Sequence, residues 1–275
     1  MPHGLHWRIL PGLVLVFLTL VIPSVASADW QYFSYSTEPP LSNSIVITQS
    51  GVSSQGTCVW HPPDSTPFMS SGLVESRQIA ADYATCTEQV EIGTPAAVPQ
   101  PGSGETSEAI TTPVCDTIDP EPSCVTTLGP PAQELPNYSQ GFAWHRVWWE
   151  DFVHIHLAKV EVRISWTWGG GGCIVGSTPM AQLEWHTASS WQRISRSMWQ
   201  TTDCQNHRTH ASAHFFNGYF CRAAGYNYDS HIFYSDNRVR GGYTGTYGTA
   251  ITSTWATGQC LPFHWRQISD NHYWG

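Results

Sequence analysis

The clearest pattern of apolar and polar positions lies in "FVHIHLAKVEVRISWTW", residues 152–168. Apolar side chains take every second position, first at Val153 and Ile155 and then, after a shift of one residue, from Val160 to Trp168. A period of two predicts a β-strand with one face in the core. Because one extra residue turns every later side chain to the other face, the shift near Ala158 predicts a bulge or a short turn.

Shorter segments further along the chain have the same character, and turn residues separate them. They are "AQLEWHT", "WQRISRSMWQT", "THASAHFFNGYFC", "SHIFYS" and "RVRGGYTGTYGTAITSTWAT". Long helical periodicity is missing between residues 138 and 275. We therefore predict an all-β fold, an antiparallel β-sandwich or jelly-roll-like domain stabilised by disulfides, over residues 138–275.

Two other regions precede this domain. Residues 29–94 hold the short strands "SIVITQSG" and "GTCVWHP" and an ambiguous segment, "ESRQIAADYATCTEQVEIGT". Its alanines allow a helix, but alternation favours a strand pair, either separate or part of the main sandwich. Residues 95–137 are rich in Pro, Thr and Ser and poor in large apolar residues, which predicts an extended linker or long loop.

The N-terminus predicts export. Arg8 precedes the apolar run "LVLVFLTLVIPSV", and "ASA" ends at Ala28. This order is typical of a secretory signal peptide over residues 1–28, with an apolar core too short to span a membrane comfortably. We expect the mature protein to be secreted and extracellular, with no membrane attachment after cleavage.

Eight cysteines follow the predicted cleavage point, and an even number in an exported chain favours disulfides. We expect Cys58 to pair with Cys86, Cys115 with Cys124, and the last four among themselves. Those four are Cys173, Cys204, Cys221 and Cys260.

Charge limits the partners. The net charge is −9 and Lys159 is the single lysine. Phosphate backbones and anionic membranes attract clusters of Lys and Arg, so we expect no nucleic-acid partner. The segments "ADYATCTEQVEIGT", "WWEDFVHIHLAKVEVRISWTW" and "HFFNGYFC" resemble uncharacterised exported proteins of Gram-positive-type soil bacteria. This resemblance implies a secreted, disulfide-bonded β protein and assigns no catalytic residue.

Histidines are the first candidates for chemistry. His207, His210 and His214 would share a face on a helix, but "FFNGYF" contains poor helix formers. On a strand, His207 and His210 point to opposite faces, and His210 and His214 lie about 13 Å apart. Zinc–nitrogen bonds of about 2 Å cannot join such positions, so we interpret this segment as an ordinary strand.

His154 and His156 form a better candidate metal pair. Two residues apart on one strand, their Cα atoms would lie about 6–7 Å apart on the same face. The alternative is a polar face opposite Val153 and Ile155. Neighbouring residues that could complete a metal shell are Glu150, Asp151, His186 and His210.

Sequence signatures of the common enzyme classes are missing: GxSxG, HExxH, a phosphate-binding glycine loop and a dinucleotide fingerprint. Glycoside hydrolysis by a pair of carboxylates is an open alternative, but nothing in the sequence selects the pair. The available acids are Glu150, Asp151, Glu161, Glu184, Asp203, Asp229 and Asp236. We expect Glu161 and Glu184 to lie on solvated strand faces.

Fourteen tryptophans exceed the needs of one small core. We expect some rings to form a ligand surface, with Trp148, Trp149, Tyr243 and Tyr247 as candidates. The function is not fixed by the sequence. Our first expectation is non-catalytic binding of an extracellular polysaccharide or the cell envelope, without a cofactor. The alternatives are a metal-dependent secreted hydrolase that uses His154 and His156 with zinc or another divalent ion, and a structural envelope or matrix protein.

Overall fold

The fold is all-β, as predicted. A computed structural model describes residues 30–35, 38–63, 72–96, 105–116, 138–169 and 171–274. Its strands are β1 (Gln31–Tyr32), β2 (Ser42–Ser50), β3 (Val52–Ser54), β4 (Thr57–Val59), β5 (Val74–Asp82), β6 (Thr87–Thr94), β7 (Glu105–Ile110), β8 (Val114–Asp116), β9 (Ser139–Asp151), β10 (His156–Trp168), β11 (Ile174–His186), β12 (Gln192–Thr202), β13 (Asn206–Asn217), β14 (Ser230–Gly242), β15 (Tyr247–Thr257) and β16 (Phe263–Trp274). A short helix, α1 (Phe220–Ala223), and a 3-10 turn (Thr187–Ser189) complete the described elements.

Two antiparallel sheets pack face to face. The larger has nine strands, eight of them in the order β2-β6-β5-β16-β9-β10-β11-β7. The ninth, β1, pairs with the C-terminal end of β5. The smaller has five, in the order β15-β14-β13-β12-β8, and β3 pairs with β4 as a separate hairpin. Of the N-terminal strands, β1, β2, β5 and β6 belong to the main sheet, because β5 hydrogen-bonds to β16.

The core lies between the sheets, where the apolar side of β10 meets β13 and β14. Val160, Val162, Ile164 and Trp166 are buried there, as their alternation predicted. Asn237 Nδ2 also donates a hydrogen bond to the Val160 carbonyl across the sheets. The predicted change of parity is confirmed, because the pairing of β10 with β9 shifts register between His156 and Ala158.

One detail of this strand prediction is wrong. β9 ends at Asp151 and β10 begins at His156, so the residues between them form a turn and not a strand. Val153 and Ile155 are 54% and 41% exposed, and they do not form the apolar face that alternation indicated. A turn does not place every second side chain on one face, so the spacing of apolar residues at positions 153 and 155 did not indicate a strand here.

Disulfides join three pairs among the described residues. Cys58–Cys86 is confirmed, with Cα atoms 5.3 Å apart. The last four cysteines pair among themselves, as predicted, in the bonds Cys173–Cys204 and Cys221–Cys260. Cys124 lies outside the described residues, so its bond to Cys115 stays a prediction. Three such bonds indicate an oxidising, extracellular-type environment.

The Pro/Thr-rich region contributes two short strands, of which β7 pairs with β11 and β8 with β12. Edge pairing uses backbone hydrogen bonds, so it does not need the large apolar residues that this region lacks. Residues 97–104 and 117–137 lie outside the described part, as does the predicted signal peptide. Within the described ranges, no helix is both long and apolar enough to cross a membrane.

Candidate functional site

A buried carboxylate, Glu150, marks the candidate site. It lies near the end of β9 on the outer face of the nine-stranded sheet, and no part of it is exposed. Its Oε1 accepts hydrogen bonds from Trp148 Nε1 and from Arg266 Nη1, the latter at 3.2 Å. His156 Nε2 lies 3.1 Å from the same oxygen. One carboxylate oxygen is thus fixed by three nitrogen atoms.

The second oxygen of Glu150 faces two further imidazoles. Its Oε2 lies 3.3 Å from His154 Nδ1 and 3.2 Å from His264 Nε2, with Arg266 Nη1 farther away at 3.4 Å. One ligand atom from each of Glu150, His154 and His264 lies within 4.8 Å of the other two. These three side chains are the candidate metal ligands of the described residues.

The turn after β9 places His154. Asp151 Oδ1 accepts hydrogen bonds from the backbone amides of Val153 and Ile155, each at 3.0 Å. Within this turn His154 adopts a φ of 62°, in the left-handed region that His tolerates better than most residues. Its Nε2 also hydrogen-bonds to the Ser34 carbonyl, which orients the ring so that Nδ1 points at Glu150.

The short N-terminal segment packs over the other imidazole. The Phe33 ring stacks on His264 with centroids 4.7 Å apart, and the Tyr35 ring meets His264 edge-on at 5.5 Å. His264 itself is placed by β16, where it alternates with the core residues Phe263 and Trp265. The outer face of β16 is therefore covered, and this covering keeps His264 out of solvent.

An ionic network extends from Glu150 across neighbouring strands. Arg266 Nη2 donates to Glu75 Oε1 at 2.6 Å, and Arg266 Nη1 donates to Glu38 Oε1 at 2.8 Å. On the other side, His156 Nδ1 lies 3.3 Å from Glu105 Oε1 on β7. The site thus joins residues that are far apart in sequence.

This network decides the charge of each group. Burial alone would raise the pKa of Glu150, but Arg266 and the three imidazoles outweigh it and hold that pKa well below its ordinary value. Burial likewise would lower the pKa of His156, yet its contacts with Glu105 and Glu150 raise it to about 9. For His264 burial wins and lowers the pKa. Glu150 is therefore ionised, beside a cationic His156 and a neutral His264.

A cavity of about 290 Å³ opens beside this cluster. Glu150, His154, His156 and Arg266 form one side of it. The remaining lining residues are Glu38, Pro39, Leu41, Glu75, Arg77, Pro95 and Ala96. The cavity therefore borders the side chains around Glu150.

The structure revises the predicted metal pair. His154 and His156 do approach a common group, but His154 lies in a turn, so strand spacing is not the reason. They also do not form a solvated polar face, because both contact the buried Glu150 from opposite sides. Of the residues expected to complete the shell, Glu150 does so, whereas His186 hydrogen-bonds to Ser189 and His210 to Asp236.

The predicted aromatic ligand surface does not form from the candidate rings. Trp148 and Trp149 are 0% exposed, and their Nε1 atoms donate hydrogen bonds to Glu150 and Thr254. Tyr247 is buried in the core, and Tyr243 packs against that core. A sugar must reach the face of a ring to stack on it, so the buried Trp148, Trp149 and Tyr247 do not supply such a surface, and Tyr243 is half-buried.

Two carboxylates expected on solvated faces are buried in ion pairs. Glu161 pairs with Arg146 and Arg163, and Glu184 pairs with Lys159. Both acids are at most 5% exposed. The expectation was wrong because residues of opposite charge lie next to each other across β9, β10 and β11. Charged side chains are rarely buried unless they are paired, and here they are paired. Asp203, Asp229 and Asp236, the other candidate acids, make their ion pairs elsewhere.

Sequence reasoning missed His264 and Arg266. They lie 114 and 116 residues from Glu150, on a strand that pairs with β9. One signal was available, because "FHWR" alternates Phe263 and Trp265 with His264 and Arg266. That alternation predicts a strand, but it does not identify the neighbouring strand.

Comparison of the chain with protein-family models, curated proteins and solved structures finds no match in any of the three. The site is therefore interpreted from its geometry.

Proposed function

We propose that this protein is a secreted, metal-dependent hydrolase whose zinc-type ion is bound by Glu150 Oε2, His154 Nδ1 and His264 Nε2. One observation carries the proposal: two imidazole nitrogens from different elements face one oxygen of a carboxylate whose other oxygen is already fixed. Ligand atoms of a tetrahedral zinc site lie roughly 3.3 Å apart, since each bond is about 2 Å long. The observed separations from Oε2 are 3.3 and 3.2 Å.

The surroundings of the three ligands support this proposal. Metal-binding histidines usually hydrogen-bond through the second ring nitrogen to a carbonyl or carboxylate, as His154 does with Ser34. Metal-binding carboxylates are themselves hydrogen-bonded, as Glu150 is by Trp148 and Arg266. His156 belongs to this outer shell, because its Nε2 lies on the opposite oxygen.

A catalytic rather than purely structural ion is favoured by the cavity. Structural zinc has four protein ligands, whereas catalytic zinc has three and leaves a position for water or substrate. Two His and one Glu supply three ligands here, and two of these residues, Glu150 and His154, line the 290 Å³ cavity. When bound, zinc would supply an acidified water for hydrolysis. Three disulfides suit an extracellular protein. Export would remove the predicted signal peptide by cleavage after Ala28.

Zinc titration against a chromophoric chelator tests this function on the secreted protein after treatment with EDTA. We expect one equivalent of tightly bound zinc. The double substitution His154→Ala with His264→Ala should weaken binding by more than about 100-fold, since losing only an outer-shell partner costs about 10–100-fold. His156→Ala, which removes only such an outer-shell partner, should weaken it by about 10–100-fold.

The matched control is His214→Ala with His231→Ala, which removes two imidazoles whose nitrogens lie 2.9 Å apart on the other sheet. This control should bind zinc as the unmodified protein does. Equal zinc affinity of the His154/His264 variant and the control would overturn the metal centre. Zinc binding without zinc-dependent cleavage of any ester, peptide or glycoside in a substrate panel would overturn the hydrolase assignment alone.

A further inference from the structure

Glu38 differs from the other acids around the candidate site. Its Oε1 accepts a hydrogen bond from Arg266 Nη1 at 2.8 Å, and its Oε2 lies 3.5 Å from Arg77 Nη1. Glu75 and Glu91, which bind the same two arginines, are held within β5 and β6. Glu38 instead belongs to the irregular segment before β2, and its side chain is 26% exposed.

Arg77 has hydrogen-bonding capacity that the protein leaves unused. Its Nε and Nη2 both lie 2.8 Å from Glu91 Oε2. Its Nη1 is buried and has no hydrogen-bond partner in the described part of the chain. The Tyr35 ring covers the guanidinium, with 4.3 Å from its carbon to the ring centroid, so Arg77 is held rigidly. A buried donor of this kind is costly unless some acceptor reaches it.

We propose that Arg77 and Arg266 form the binding site for the carboxylate of a small ligand, and that Glu38 occupies this site in the present structure. The cavity beside the metal ligands is lined by both arginines and by Glu38. A ligand carboxylate that displaces Glu38 meets Nη1 of each guanidinium. The position of the ligand's other end rests on the proposed metal centre, of which Glu150 and His154 line the same cavity.

A carboxylate fits this position better than a phosphate. The group that the protein itself places there is a carboxylate, with one oxygen toward each guanidinium. Glu75 and Glu150 already neutralise much of Arg266, at 2.6 and 3.2 Å. A doubly charged phosphate would meet these two fixed acids, and like charges at short range repel. The ligand is therefore a small carboxylic acid, within the limit of a 290 Å³ cavity.

Succinate binding to the zinc-loaded protein, measured by isothermal titration calorimetry, tests the carboxylate site. Glu38→Gln removes the competing carboxylate, so we expect succinate to bind at least tenfold more tightly than to the unmodified protein. Adding Arg77→Gln to Glu38→Gln should reverse that gain. Glu38→Gln should raise the affinity for inorganic phosphate less than the affinity for succinate. A larger increase for phosphate would overturn the choice of a carboxylate.

Glu108→Gln is the matched control, because Glu108 is also 26% exposed and also lies between two arginines, Arg193 and Arg196. This variant should bind succinate as the unmodified protein does. If Glu38→Gln and Glu108→Gln bind succinate with equal affinity, the proposal is wrong. The same titration without zinc separates the two proposals: a Glu38→Gln gain in a protein that binds no zinc keeps the carboxylate site and rejects the metal centre.

Discussion

The outer faces of the two sheets both contain histidines, but they use them differently. On the nine-stranded sheet, His154 from a turn and His264 from β16 meet at one oxygen of Glu150. On the five-stranded side, the three histidines of β13 each take a different partner. His210 binds Asp236, and His214 binds His231, whereas His207 faces the other sheet and binds Ser177.

The aromatic rings on the outer face of the five-stranded sheet stack on one another. His214 stacks on Phe233 with centroids 4.1 Å apart, and Phe233 stacks on Trp255 at 4.7 Å. Rings that stack face to face across neighbouring strands cover each other's faces and leave edges toward solvent. Glycan binding by this protein stays a prediction, but this row of rings does not favour it.

The difference shows what brings side chains together. Successive residues of one strand move apart by about 3.3 Å each, so histidines along β13 separate. Convergence requires different elements whose side chains point at one spot, and Glu150 is such a spot. In this protein the imidazoles that converge come from two different elements, and not from the dense run of histidines in β13.

Removal of the central charge should have the largest effect on stability. Glu150→Gln keeps the shape of the side chain but leaves the buried Arg266 and His156 without one of their counter-charges. We expect the free energy of unfolding to fall by about 3 kcal/mol, because breaking a buried ion pair leaves an uncompensated charge. Urea unfolding at neutral pH measures it, and a loss below about 1 kcal/mol would show that Glu150 is not the electrostatic centre of this face.

Glu88 contrasts with Glu150, because no described residue forms an ion pair with it. Glu88 is fully buried between Gln49, Gln78 and Trp265, all neutral donors. Burial raises its pKa from 4.5 to about 7, although those hydrogen bonds lower it. The folded protein therefore holds a proton that the unfolded chain releases, and stability falls as pH rises from about 4.5 to about 7.

Glu88→Gln should remove this pH dependence. At pH 8 we expect the variant to be more stable than the unmodified protein by up to about 3 kcal/mol, since each pKa unit is worth about 1.36 kcal/mol. Near pH 4.5 the two should be nearly equal. Urea unfolding at both pH values provides the measurement. An equal difference in stability between the two proteins at pH 4.5 and at pH 8 would contradict the raised pKa of Glu88.

The smallest effect belongs to the five-stranded sheet. Asp236→Asn removes a charge that is 24% exposed and bonded to His210 at 2.6 Å. Asn tolerates the positive φ of 50° at this position, so the backbone should stay unchanged. We expect a loss of about 1 kcal/mol or less in thermal or urea unfolding, with zinc affinity unaltered. A loss as large as that for Glu150→Gln would remove the contrast between the two faces.

The fold was largely predictable because it follows from local alternation. Val160, Val162 and Ile164 lie in the core where their period of two placed them, and the bulge near Ala158 was visible as a change of parity. Alternation also misled once, since Val153 and Ile155 lie in a turn that Asp151 organises. A carboxylate accepting two backbone amides is a three-dimensional feature that spacing does not show.

The site was only partly predictable because it depends on which strands become neighbours. The sequence indicated His154 and His156 and included Glu150 among the acids, but it gave no reason to add His264. That residue reaches Glu150 because β16 inserts between β5 and β9. The tryptophan excess indicated ligand binding, yet Trp148 and Trp149 are buried and bond to polar groups inside the protein.

Zinc-edge X-ray absorption on the zinc-loaded protein identifies the atoms that bind the proposed ion. We expect a first shell of nitrogen and oxygen at about 2.0–2.1 Å, with outer-shell scattering from two imidazoles and none from sulfur. His264→Ala should remove one imidazole from that signal, and His210→Ala should remove none. A sulfur shell, or a two-imidazole signal that survives the combined loss of His154 and His264, would contradict the proposed site.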